Sequence, residues 1–175
     1  TYRIINLINE SDEFVIDRWD YFPTIHTSYK FTEGSQMMAS YTRRIQRPHG
    51  WELEPFLTWV DANNVRIGNP ELLPELIDSY EAGIQTFIGS VNLSVELYHR
   101  ITNNKIERIR SVYEEDENVS LNTVANIGKD FATGGELMIL FDPLEFWNAN
   151  YMANLYNYRI EGTLYDEPFE RQSFN

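Results

Sequence analysis

The chain has no cysteine. Thiolate catalysis, cysteine-based zinc sites and disulfides are excluded at once, while the compartment stays open because cysteine-free chains occur in several. It also lacks an apolar run of the roughly 18 residues that a membrane-crossing helix needs, and its first residues lack the basic-then-apolar order of a signal peptide. Basic residues are scarce: 14 Lys and Arg stand against 27 Asp and Glu, a formal net charge of -13. Nucleic acid is therefore set aside as a partner, because backbone phosphates need a cationic face. The three histidines, His26, His49 and His99, sit far apart without ligand spacing, and there is no glycine-rich phosphate loop, so neither a metal nor a cofactor is expected. Glu52 with Glu54, and the run Glu114, Glu115, Asp116 and Glu117, can be read as carboxylate pairs. Acidic loop runs are usually solvated faces, no base stands at a fixed strand spacing from them, and a calcium loop would need alternating ligands. The expectation is that the chain is no enzyme.

What is present is alternation. Leu93, Val95 and Leu97 point one way along a strand while Asn92, Ser94, Glu96, Tyr98 and Arg100 point the other. The same split recurs with Ile25, Thr27, Tyr29 and Phe31, with Met37, Ala39 and Tyr41, with Tyr80, Ala82 and Ile84, with Leu137, Ile139 and Phe141, and with Ala149, Tyr151, Ala153 and Leu155. No helical stripe competes with it, so the fold class is all-β and antiparallel. A mean hydropathy of -0.44 does not argue against a membrane, because strands facing lipid on one side and water on the other average out. The aromatic share of 14% suits the interfacial girdles of such strands, and equally a sugar-binding β-sandwich.

The connections discriminate further. Thr32-Glu33-Gly34-Ser35, Ile88-Gly89-Ser90 and Asp142-Pro143-Leu144-Glu145 read as tight turns. Long excursions are expected at Glu10 to Tyr21, Ile45 to Glu75, Arg110 to Ser120 and beyond Glu161. In an up-and-down meander every second connection falls on one rim, which puts all short turns at one end and all long loops at the other. That is the asymmetry of a transmembrane barrel with short periplasmic turns and long extracellular loops. Val91 to about Arg110 and Leu121 to Phe141 are long enough to project beyond the lipid on the long-loop side, at about 3.3 Å per residue.

From Tyr41 to Glu81 the residues become specific. Tyr41-Thr42-Arg43-Arg44-Ile45-Gln46-Arg47-Pro48, then Glu54-Pro55-Phe56, then Gly68-Asn69-Pro70-Glu71-Leu72-Leu73-Pro74-Glu75, then Ser79-Tyr80-Glu81-Ala82-Gly83 resemble the barrel of TonB-dependent receptors. The branch they look most like is the outer-membrane β-barrel common in Bacteroidetes. Leu97 to Ile101 with Asn104 to Ile106, and Asn126-Ile127-Gly128 with Gly135-Glu136-Leu137, resemble the strands that follow, so the likeness runs from about Pro23 to Tyr158. Leu73 stands where a lysine is frequent, and the chain ends at Phe174-Asn175 without a clear terminal aromatic strand. The resemblance implies a barrel of about 22 strands, of which about seven fit in this length at the usual strand spacing. Residues 1–175 are then a partial, C-terminal barrel domain without its plug, in the outer membrane of a Gram-negative bacterium. The implied partners are outer-membrane lipid, a plug domain, a TonB-type energising protein reached through other parts of the chain, and a small-molecule or oligosaccharide cargo such as a siderophore or glycan.

Two groups of residues are candidates for that work. Trp51, Phe56 and Trp59, in a loop with Glu52, Glu54 and Asp61, offer stacking surface for a ligand, or else pack on neighbouring loops. Glu81, Glu96, Arg100 and Glu136 are expected to face the lumen, where they contact a plug or simply line a solvated wall. The competing class is a soluble secreted carbohydrate-binding module, in which Leu93, Leu97, Leu137, Ile139 and Leu155 must be covered by a second sheet. An adhesion or structural barrel that moves no cargo is a third.

Overall fold

The computed structural model describes residues 2–5, 13–16, 19–144, 146–164 and 167–174, and side chains from residue 19 onward. Eleven strands are formed among the described residues: β1 (Tyr2–Ile5), β2 (Glu13–Ile16), β3 (Thr24–Thr32), β4 (Ser35–Gln46), β5 (Thr58–Asp61), β6 (Asn64–Arg66), β7 (Glu75–Ile88), β8 (Val91–Tyr113), β9 (Asp116–Leu144), β10 (Trp147–Leu164) and β11 (Glu167–Phe174), with one 3-10 turn at Gly50–Leu53. β1 pairs with β2. The main sheet runs β11-β10-β9-β8-β7-β4-β3, an up-and-down order of seven strands, with the β5–β6 hairpin attached to β9 through a parallel pairing of β6. Contacts divide the chain into a loop unit (residues 1–21, 45–75 and 104–128) and a wall unit (residues 22–44, 76–103 and 129–175).

The wall unit follows the period-two pattern strand by strand. Ile25 pairs with Tyr41, Thr27 with Ala39 and Tyr29 with Met37 on one face, while His26 meets Ser40 and Lys30 meets Gln36 on the other. Tyr80 pairs with His99, Ala82 with Leu97 and Ile84 with Val95 on the apolar face; Ser79 meets Arg100, Glu81 meets Tyr98 and Gly83 meets Glu96 on the polar one. Across β4 and β7 the polar face is stitched by Ser40 Oγ donating to Glu81 Oε2 at 2.9 Å and Gln36 Nε2 donating to Gln85 Oε1 at 3.1 Å. No second sheet covers the apolar face among the described residues of this unit. Leu97 and Leu155 are 60% and 61% exposed, which a soluble sandwich does not tolerate in its core strands.

Rings bound the apolar face at two levels. Tyr41, Tyr80, His99 and Phe131 form a row with centroid separations of 5.0, 6.4 and 6.5 Å, continued by the Arg159 guanidinium 4.6 Å from the Phe131 centroid. Beyond that row Arg43 lies 3.8 Å from Asp78, whose carboxylate also accepts the Tyr41 hydroxyl. Near the turn joining β9 to β10, Phe141 and Trp147 make an edge contact at 5.6 Å. From Tyr80 to Ile88 the strand covers about 27 Å at about 3.3 Å per residue. Tilted by about 40°, that spans about 20 Å, near the roughly 25 Å apolar band of an outer-membrane barrel.

Turns at Glu33-Gly34 and Gly89-Ser90 occupy the two positions between paired strands, as the sequence suggests, with Gly89 at φ +60°. Three connections differ from expectation. Pro143 lies inside β9, which runs on to Leu144 before β10 starts at Trp147; at the end of a strand a missing N–H leaves little of the ladder unfilled. Arg110 to Ser120 is no long excursion but the tip of a hairpin that turns at Glu114-Glu115 on strands of 23 and 29 residues. The end beyond Glu161 is likewise a hairpin, with Asn157 to Leu164 paired to Glu167 through Phe174. Of the expected Glu10 to Tyr21 excursion, residues 10–12 and 17–18 lie outside the described residues. Ile45 to Glu75 is the long connection, and it builds the loop unit.

Candidate functional site

Among the described residues the loop unit has what the wall unit lacks, a buried apolar core: Leu53, Val65, Leu72, Val119, Val124 and Ile127 all belong to it. Leu53, Leu72 and Val124 cluster, with Trp51 and Ile106 packed against them. The 3-10 turn is closed by Glu52, buried at 7% exposure, whose Oε2 accepts the His49 N–H at 2.8 Å. One member of the carboxylate pairs is thus structural. Gly68 follows because only glycine fits: a Cβ there would stand 2.6 Å from the carbonyl oxygens of both Trp51 and Glu52. Its N–H reaches Glu54 O at 2.9 Å, and the next N–H, of Asn69, bonds Glu52 O at 2.6 Å. Asn69 then turns the chain by accepting the Glu71 N–H on its side chain at 2.9 Å.

The Asn69 to Glu75 corner is held from outside. Asn126 accepts the Leu73 N–H at 2.8 Å and donates to Leu73 O at 2.9 Å and Asn104 O at 2.7 Å. Asn104, at φ +56°, donates to Pro74 O at 3.3 Å. Glu75, 3% exposed, accepts the Ile106 N–H at 2.8 Å and the Lys105 ammonium at 3.1 Å.

The three aromatic candidates part company. Trp51 is half-buried, with the guanidinium carbons of Arg66 and Arg108 at 5.3 and 5.2 Å from its ring centroid. Arg110 donates to Ser120 Oγ at 2.8 Å. None of these three arginines makes an ion pair with a carboxylate among the described residues, in a chain with almost twice as many acids as bases. Trp59 is exposed and meets Tyr113 edge-on at 6.0 Å, and Phe56 is exposed without sharing that contact. Sequence inspection singled out the rings but not Arg66, Arg108, Arg110 or Tyr113. The available signal was the recurrence of arginine at alternate positions of one strand in an acidic chain.

The charged candidates of the wall unit do converge. Glu81, Glu96, Arg100 and Glu136 line one concavity of about 370 Å³ together with Tyr98, Asn154 and Tyr156. Asn154 donates to Glu136 Oε1 at 3.2 Å and accepts the Tyr98 hydroxyl at 3.5 Å, a long bond. A Cβ at Gly83 would stand 3.2 Å from Val95 O and one at Gly135 3.0 Å from Leu97 Cδ2, and Gly134 is tighter still, at 2.6 Å from the Tyr98 hydroxyl and 2.7 Å from Leu155 O. No cluster of three His, Cys, Asp or Glu suited to a metal occurs among the described residues.

Comparison with known proteins places the fold. The siderophore receptor PirA of Pseudomonas aeruginosa superposes with a TM-score of 0.60 at 20% identity, over 80% of this chain and 26% of that one. The ferric enterobactin receptor PfeA of the same organism, bound to enterobactin, gives 0.60 at 18% identity, over 82% and 26%. PirA of Acinetobacter baumannii gives 0.54 at 15%, over 84% and 27%. This chain therefore spans about a quarter of those receptors. No curated protein matches it. A family model, described as the outer membrane protein beta-barrel family, matches residues 1–175. Agreement of that match with the meander, the uncovered apolar face and the aromatic rows is complete: the chain belongs to the outer membrane protein beta-barrel family and forms a stretch of barrel wall in the outer membrane of a Gram-negative bacterium.

Proposed function

We propose that the chain is the C-terminal part of the barrel of a TonB-dependent receptor of the Bacteroidetes type, which imports a scarce anionic nutrient of the siderophore class. Energy reaches such a barrel through a plug domain and a TonB-type partner that lie outside residues 1–175. The observation that carries the cargo class is Arg66, Arg108 and Arg110, free of ion pairs with carboxylates among the described residues, with the first two resting on the Trp51 ring. A guanidinium already resting on a ring keeps its N–H donors for an anion and holds them in place. Trp51 is then a scaffold for arginines rather than an open stacking surface. Trp59 with Tyr113 favours a second reading, an oligosaccharide cargo stacked on exposed rings, with Phe56 as its remaining aromatic. Glu81, Glu96, Arg100 and Glu136 are assigned to the lumen side, facing the plug.

Uptake of a trianionic iron(III) tris-catecholate complex, in cells expressing the full-length receptor, separates these readings. The double variant Arg66→Gln with Arg108→Gln is expected to weaken binding about a hundredfold, as loss of two charge-assisted contacts implies, while Trp59→Ala leaves it unchanged. Loss with Trp59→Ala alone, and only for an oligosaccharide probe, overturns the anion in favour of the glycan.

A further inference from the structure

The arginine pair is assembled from two sources: Arg66 arrives on β6, inside the long connection, and Arg108 on β8. They meet on Trp51 only if the connection is seated. Its last segment, Ile67 to Pro74, has no strand of its own, and Pro74 supplies no N–H. Both backbone groups of Leu73 need partners from elsewhere, and a single side-chain amide provides them. The acceptor oxygen of Asn126 takes the Leu73 N–H and its amino group serves Leu73 O and Asn104 O, at 2.8, 2.9 and 2.7 Å. This demand, one acceptor and two donors at one point, is met by asparagine and not by aspartate, serine or alanine. Glu75 closes the same corner one step on through Ile106 N–H and Lys105.

We infer that Asn126 is a positioning residue: a latch that seats the 47–74 connection on β8 and β9 and thereby brings Arg66 to Arg108. The latch stands on its own geometry. Its consequence for cargo rests on the anion-site reading above.

The test uses the full-length receptor in lipid vesicles, with amide hydrogen exchange over residues 50–72 and affinity for the iron tris-catecholate measured on the same samples. Asn126→Asp at pH 7 sets a carboxylate against two carbonyls. Exchange is expected to accelerate about tenfold or more relative to the unaltered protein, the scale of one or two lost hydrogen bonds. At pH 3, below the ordinary aspartate pKa of about 3.9, the acid is mostly protonated and donates one bond again, and the ratio is expected to shrink, a pH-dependent rescue that mere loss of packing does not produce. Asn126→Ser, one atom shorter and uncharged, covers the case in which the aspartate variant does not assemble, and is expected to accelerate exchange to the same extent at both pH values. Exchange over 50–72 equal to the unaltered protein in both variants overturns the latch. Faster exchange with unchanged affinity leaves the latch standing and overturns the anion-site reading. Faster exchange with at least tenfold weaker affinity supports both.

Discussion

One chain here obeys two solvents. In the loop unit a cluster of apolar side chains is hidden, with Val65 and Val124 almost fully out of reach of solvent, although Phe56, Trp59, Val60 and Leu73 stay exposed. In the wall unit they stand open on a single sheet. Both units are mostly strand, so local structure does not account for the difference. What differs is where the alternation of polar and apolar residues is cashed: against other protein in the loop unit, against hydrocarbon in the wall unit. The same residue type should therefore respond to the same change by different amounts in the two places.

The largest effect is expected in the loop unit. Leu72→Ala empties part of the Leu53, Leu72 and Val124 cluster and should cost about 3 kcal/mol locally, because protein closes over a cavity only in part. Hydrogen exchange should report the loss over residues 50–75 while the heat-resistant barrel band on an electrophoresis gel is unchanged. Leu97→Ala on the wall should cost clearly less, since lipid fills the space; equal costs would break the comparison. Next in size is Leu97→Arg, about 2 kcal/mol against folding into vesicles for a charge placed in the lipid band. Ser94→Arg, three positions along but on the polar face, should be tolerated. The smallest concerns Asp61, fully exposed, whose carboxyl is held below the usual range chiefly by the Asn63 backbone N–H and then by the Asn64 side chain. A lowered folded pKa gives stability that is present above the ordinary carboxylate range and is lost as pH falls through the folded value. The Asp61 to Asn64 turn should exchange faster relative to its neighbours at pH 3 than at pH 7, and the wall should not respond.

Much of the wall was legible in the residues. Period two identified both faces, and Glu33-Gly34 and Gly89-Ser90 marked the turns; at Gly89, φ +60° is the unusual backbone that a two-residue hairpin asks of glycine. Pro143 misled because proline at a strand end looks the same as proline in a turn. Glu114 to Glu117 misled because an acidic run reads as an open loop although two of its residues suffice to reverse the chain. The loop site was scarcely legible. Trp51 was visible as a ring, but its meaning depends on Arg66 and Arg108, which only the folded connection brings to it. Asn126 was visible as a motif letter, and its three hydrogen bonds belong to segments distant in sequence.

The most direct test of the account is the medium that each face of the wall meets. Residues 1–175 have no cysteine; with any cysteine elsewhere in the full-length protein replaced, nitroxide labels can be placed singly at Ile84, Leu97, Glu81 and Glu96 in lipid vesicles, and collisions with oxygen and with a water-soluble nickel chelate compared. Labels at Ile84 and Leu97 are predicted to collide with oxygen and be shielded from nickel, as in hydrocarbon, and those at Glu81 and Glu96 to be shielded from oxygen. All four sites giving the same ratio, or the glutamate sites giving the lipid-like one, would contradict the assignment of one face to the membrane.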